Sequence, residues 1–154
     1  MTVFLLQAAW LIPAYPLLAA VASLAWSPGL ISRTGPRPCG YLNLLMVTVA
    51  FGHSLVALTA LHTNARAGAE ALYRPISFGW TWLDTAGLRV GFDGLVTEPA
   101  LIAMAVITGL HLLVQIYAIG YLEMDWGWPR FFGSLSFFEA GLCALVLTDS
   151  VFFS

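Results

Sequence analysis

Long apolar stretches separated by short links set the pattern of this chain. Val3–Trp26, Tyr41–His62 and Pro99–Tyr121 each hold the roughly 20 largely apolar residues that a helix needs to cross a bilayer core. Phe131–Thr148 is slightly shorter and carries no charge except Glu139. A fifth apolar run opens at Ser150 and reaches Ser154, so the chain is expected to be the front part of something longer. Pro13 and Pro16 fall inside the first run and predict a kink, because proline removes a helix hydrogen bond and its ring clashes with the preceding turn. Membrane helices tolerate such kinks when neighbours satisfy the freed carbonyls. The expected fold is an all-α membrane protein with four transmembrane helices and the start of a fifth.

The links differ from one another. Residues 27–40 form a turn-rich segment with Pro28, Gly29, Gly35, Pro36, Pro38 and Gly40. The link between the second and third runs is longer, about Thr63 to Glu98, and part of it alternates with period two. Ile76, Phe78, Trp80 and Trp82 share one face, and Leu88, Val90 and Phe92 follow the turn-like Asp84-Thr85-Ala86-Gly87. This predicts a β-hairpin over about 76–93. Two strands alone are marginal in water, so the ribbon is expected to lie on the membrane surface or a neighbouring subunit.

Composition agrees with a membrane class: 60% of residues are hydrophobic and 9% charged, against roughly 25% charged in soluble domains. Mean hydropathy is +0.86. The N-terminus lacks the positive region of a signal peptide, and its apolar run reads as a retained membrane helix. There is no lysine, the net charge is −2 and no basic run exists, which argues against a nucleic-acid partner. Cys39 and Cys143 stand far apart with no metal-ligand spacing and read as small buried residues. Arg33, Arg37 and Arg130 fall on one side of the membrane, and Arg66, Arg74 and Arg89 on the other. The tie is broken by the short links, which carry more weight and assign the first group to the cytoplasmic side.

Ionisable groups at membrane depth cost about 2.5–3.5 kcal/mol on insertion scales, so each calls for a role. Glu139 lies in the middle of the fourth run. It belongs either to a proton path or to a hydrogen-bonded contact that helps helices pack. Thr108, His111 and Gln115 are spaced i, i+3 and i+7 and share one helix face. That stripe faces protein or water, as part of a hydrated path or as interhelical hydrogen bonding. His53 on the second run carries the same two readings.

The elbow Glu123-Met124-Asp125-Trp126-Gly127-Trp128-Pro129-Arg130 sets two carboxylates and an arginine among interfacial tryptophans. It is either a solvated aromatic belt or a docking surface for another subunit. Arg37, Cys39 and Tyr41 at the mouth of the second helix form another candidate patch, for docking or for a ligand. The chain contains no Walker loop, GxGxxG, HExxH or GxSxG string, so no self-contained catalytic site or metal site is expected. A small four-helix transporter using Glu139, and a structural membrane adaptor, stand as alternative readings.

Phe92-Asp93-Gly94-Leu95, Val114-Gln115-Ile116-Tyr117-Ala118-Ile119-Gly120-Tyr121, Arg130-Phe131-Phe132 and Leu145-Val146-Leu147-Thr148-Asp149 follow in order. As an ordered set they resemble antiporter-like subunit 5 of complex I and its photosynthetic relative, the NdhF subunit of type-1 NAD(P)H dehydrogenase. The strings Arg33-Thr34-Gly35-Pro36-Arg37-Pro38, Glu123–Trp128 and Glu139–Leu147 resemble the cyanobacterial branch devoted to CO2 uptake.

The resemblance implies a thylakoid subunit of a proton-translocating complex that passes electrons from ferredoxin or NAD(P)H to plastoquinone. No cofactor is then held in this chain; quinone and donor act elsewhere. The implied partners are the other membrane subunits, the bilayer and a cytoplasmic CO2-hydrating subunit docked near the elbow and Arg37–Tyr41. Departures from the family pattern accompany the likeness. Gln115 stands where the family usually has a histidine, and it carries no proton at neutral pH. Glu139 stands where respiratory members have an apolar residue. The family's channel glutamate and lysine are expected beyond Ser154.

Overall fold

A computed structural model describes residues 4, 8–25, 37–66, 76–85, 88–122 and 127–148, with side chains described for 38–63 and from 94 onward within the later segments. Glu123, Asp125, the residues 86–87 between the strands and the expected fifth helix at 150–154 lie outside the described residues, as does the side chain of Arg37.

The first apolar run is not the single helix over 3–26 that its composition predicts. Among the described residues it is a 3-10 turn, Ala9–Leu11, followed by α1, Ala14–Leu24. Pro13 occupies the N-cap of α1, and Pro16 falls in its first turn, where a missing N–H leaves no bond unmade. The prolines therefore restart the helix. Ala9–Leu24 is a shorter apolar helix of roughly 24 Å at 1.5 Å per residue.

Three further helices are long and apolar enough to cross a membrane. The first, α2, spans Arg37–Arg66 and runs about a turn beyond the expected 41–62 at each end. Its 30 residues are roughly 45 Å long, more than the ~30 Å hydrocarbon core, so its polar ends reach the headgroups. Helix α3 covers Glu98–Tyr121. The Thr97 side chain caps it by accepting from the Ala100 N–H at 3.3 Å, with Glu98 and Pro99 in the first turn. Thr97→Ala is expected to cost about 1 kcal/mol through the lost cap, read as a lower melting temperature of the assembled subunit. Helix α4 spans Trp128–Leu147, with Pro129 in its first turn.

Between α2 and α3, strands β1 (Ile76–Thr85) and β2 (Leu88–Val96) pair antiparallel. Ile76 opposes Val96, Phe78 opposes Gly94 and Trp80 opposes Phe92. The register slips between Thr81 and Leu83, so Trp82 has no partner and the expected alternation breaks there. An isolated bridge from Gly94 to Thr148 ties β2 to the end of α4.

The helices alternate in direction. Gly40 of α2 lies against Trp128 and Phe132 of α4, and Asn43 contacts Ser136, so α2 and α4 run parallel. Ser54 meets Thr108 while Ser136 meets Gln115, so α3 runs opposite to both. The two short connections thus share one end of the bundle, and the hairpin occupies the other. Small residues let the backbones approach, as membrane interfaces require when water supplies no hydrophobic drive. A Cβ at Gly133 would stand 3.2 Å from the Ser23 Cβ. Large apolar side chains such as Leu113, Phe137 and Leu145 are exposed on the outside.

Candidate functional site

The sequence-predicted polar residues do not all converge. Gln115 and Glu139 are both fully buried, on α3 and α4. Gln115 Nε2 donates to Ser136 Oγ at 3.1 Å. Ser136 lies one helical turn before Glu139 on α4, so the two share a face. Ser136 in turn donates to Asn43 Oδ1 on α2 at 2.7 Å. The Asn43 amide donates to Ser23 Oγ on α1 at 2.6 Å and to the Cys39 carbonyl at 2.8 Å. Cys39 Sγ also donates to Ser23 Oγ at 3.1 Å, and the Ser23 hydroxyl donates to the Ala19 carbonyl at 2.7 Å. One connected network therefore ties all four helices together.

Glu139 sits at the edge of this network without joining it. Among the described residues neither of its oxygens has a hydrogen-bond partner, and Gln115 Oε1 also lacks one. Buried polar groups without partners are expensive and uncommon. An ionisable group placed this way in a membrane-length helix is costly.

His111 is half-buried; its Nδ1 lies 3.1 Å from the Ile107 carbonyl of its own helix, and its ring is 6.0 Å from Phe138. It is turned away from the network. His53 is buried on α2, nearer the hairpin, with its ring 5.8 Å from that of Tyr15. Thr108 meets Ser54 at 3.4 Å while donating to the Met104 carbonyl at 2.7 Å. The stripe on α3 thus divides: Thr108 faces α2, Gln115 faces α4, and His111 lies at the margin.

Asn43, Ser136 and Ser23 are the functional candidates that sequence reasoning missed. Their signal was available, since Ser136 stands three residues before Glu139 and Asn43 is an amide inside an apolar run. What no pattern revealed was that they meet. Of the docking candidates, Tyr41 is 55% exposed and Arg130 is exposed, both at the end with the short connections. Arg37 opens α2 at the same end.

The family described as NADH-ubiquinone oxidoreductase (complex I), chain 5 N-terminus, matches residues 82–132, from the hairpin through α3 into α4. NAD(P)H-quinone oxidoreductase subunit 5 of the Paulinella chromatophora chromatophore is 40% identical over 146 residues, covering 95% of this chain. The chain belongs to the complex I chain 5 family. Chain 5 of the NAD(P)H-quinone oxidoreductase of Synechocystis is 28% identical over 96% of this chain. Subunit L of the Escherichia coli NADH-quinone oxidoreductase is 32% identical over 68% of it. This chain 5 member spans about a fifth of those relatives' own lengths: 22%, 21% and 18% respectively. The likeness covers the four-helix network as well as the elbow, since the aligned region includes nearly the whole chain.

Proposed function

We propose that this chain forms part of a proton-translocating membrane subunit of an NAD(P)H dehydrogenase, a plastoquinone oxidoreductase, and that Glu139 takes part in moving protons. The observation that carries the reading is a fully buried carboxyl, with no hydrogen-bond partner among the described residues, one turn from a polar network spanning four helices. On this reading Glu139 takes up and releases a proton while Ser136 and Gln115 hold the polar environment beside it. Quinone and the NAD(P)H or ferredoxin donor act elsewhere in the complex.

The finer reading places the subunit in the cyanobacterial thylakoid branch that supports CO2 uptake. Its support is the resemblance of the strings at 33–38, 123–128 and 139–147 to that branch. The end bearing Arg37, Tyr41 and Arg130 then faces the cytoplasm, and with Glu123 and Asp125 it provides the docking surface for a CO2-hydrating subunit. The other membrane subunits of the complex are the remaining partners.

The network also favours a second reading, a scaffold, because the hydrogen bonds from Gln115 to Ser23 hold four helices in register whether or not protons pass. Glu139→Gln in the full-length subunit separates the two. Conduction predicts an assembled complex that transfers electrons but translocates fewer protons per electron. Failure to assemble would favour the scaffold, and unchanged pumping in an assembled complex would end the conduction reading.

A further inference from the structure

His111 opens to the outside of the bundle at membrane depth. Along α3 it lies about 20 Å from Glu98 and about 15 Å from Tyr121, at 1.5 Å per residue. Both distances place it well inside a hydrocarbon core of ~30 Å. Its neighbours on the same stripe, Thr108 and Gln115, are fully buried, whereas His111 is only half-buried.

The ring's two nitrogens differ. Nδ1 lies 3.1 Å from the Ile107 carbonyl of its own helix. A carbonyl only accepts, so Nδ1 carries the hydrogen, and in the neutral ring Nε2 is an acceptor. No hydrogen bond among the described residues reaches Nε2, and it is not one of the unpartnered polar atoms sealed inside the bundle. It therefore faces the surface. Phe138 of α4 stands beside the ring at 6.0 Å, and Val114 follows one turn along α3; both are exposed and apolar.

An open acceptor at this depth does not suit lipid, which offers no donor. Histidines within membrane-spanning helices almost always face protein or a water-filled cavity. The apolar, exposed Val114 and Phe138 suit a packed helix better than a hydrated cavity. The chain spans only about a fifth of its relatives' lengths, 22%, 21% and 18%, so most of the subunit they describe lies outside these residues.

We infer that the α3–α4 face around His111 is covered by a membrane-spanning helix from the rest of the full-length subunit, which presents a hydrogen-bond donor to His111 Nε2. The inference does not require Glu139 to carry protons.

The test uses the full-length subunit in the assembled complex, in its membrane. Phe138 is replaced by the photocrosslinker p-benzoylphenylalanine, and the irradiated product is mapped by mass spectrometry. Crosslinks to a later peptide of the same polypeptide are expected. Crosslinks only to lipid or to another subunit, or none at all, would overturn the inference. A second measurement turns on sign. If a donor meets Nε2, His111→Leu lowers the melting temperature of the complex by several degrees, and His111→Gln, which keeps an acceptor, restores part of the loss. If the ring faces lipid, His111→Leu removes a polar group from hydrocarbon, and an unchanged or raised melting temperature would refute the covering helix. The crosslink decides by itself where His111→Leu fails to assemble.

Discussion

Replacing Asn43 with leucine is expected to destabilise the helix bundle by about 1–3 kcal/mol, the usual cost of leaving buried polar groups without partners. Leucine matches the branching of asparagine but is bulkier, so overpacking of the fully buried site adds to the loss of hydrogen bonds. Four bonds disappear: the acceptor for Ser136 and the donors to Ser23, to the Cys39 carbonyl and, at 3.7 Å, to the Cys39 sulfur. Ser136 loses its acceptor on α2, while Ser23 keeps the Cys39 thiol as donor. Because a single interhelical hydrogen bond in a membrane protein averages only ~0.6 kcal/mol, the orphaned partners dominate the effect. Thermal inactivation of the assembled complex measures it. Ser136→Ala breaks the same chain one link further on. The double variant should therefore lose less than the sum of the two single changes, as neighbours in one network do. Strict additivity would mean that the four helices are not coupled through Asn43.

The second large effect is steric. A Cβ at Gly40 would stand 3.0 Å from Trp128 Cζ3 and 3.3 Å from Phe132 Cε2. Those two rings meet edge to face at 5.3 Å and are almost fully buried, so neither has room to retreat. Gly40→Leu is expected to force α2 away from α4 at a cost of about 1–3 kcal/mol or more, the range for overpacked cores. Gly40→Ala should cost less, because a single methyl needs only a few tenths of an ångström from the indole. The measurement is the yield and melting temperature of the complex carrying each variant. Equal stability of Gly40→Leu and the unmodified protein would show that the α2–α4 contact is not tight. Gly52, which has nothing within 4 Å of its would-be Cβ, provides the matched control within the same helix.

These two predictions sit on residues of opposite legibility. Gly40 looks like one more glycine of a turn-rich link, and only the packing of Trp128 shows what it is for. Asn43 is visible as a lone amide in an apolar run, yet its partners lie 20 and 93 residues away in the chain. Glu139 and Gln115 stand out at once, since a carboxyl or amide in a bilayer-length helix is costly enough to be conspicuous. His111 and Gln115 look equivalent by spacing, but a helix turns 100° per residue, so four positions leave about 40° between them. That offset places Gln115 against α4 and leaves His111 at the margin.

The sequence by itself determined the medium and the long helices. Bilayer length and the cost of unsatisfied backbone in hydrocarbon admit few other solutions for such apolar runs. It marked Pro13 and Pro16 as a disturbance of the first run but as a kink, and that the helix restarts there came only from the structure. Tertiary structure alone decided which polar groups meet. Apolar helices in lipid gain little from one face over another, so rotation and register are set by close contacts such as Gly40 on Trp128 and by the hydrogen bonds of Asn43. The same packing left Glu139 buried one turn from the polar network, and no pattern along the chain carries that placement.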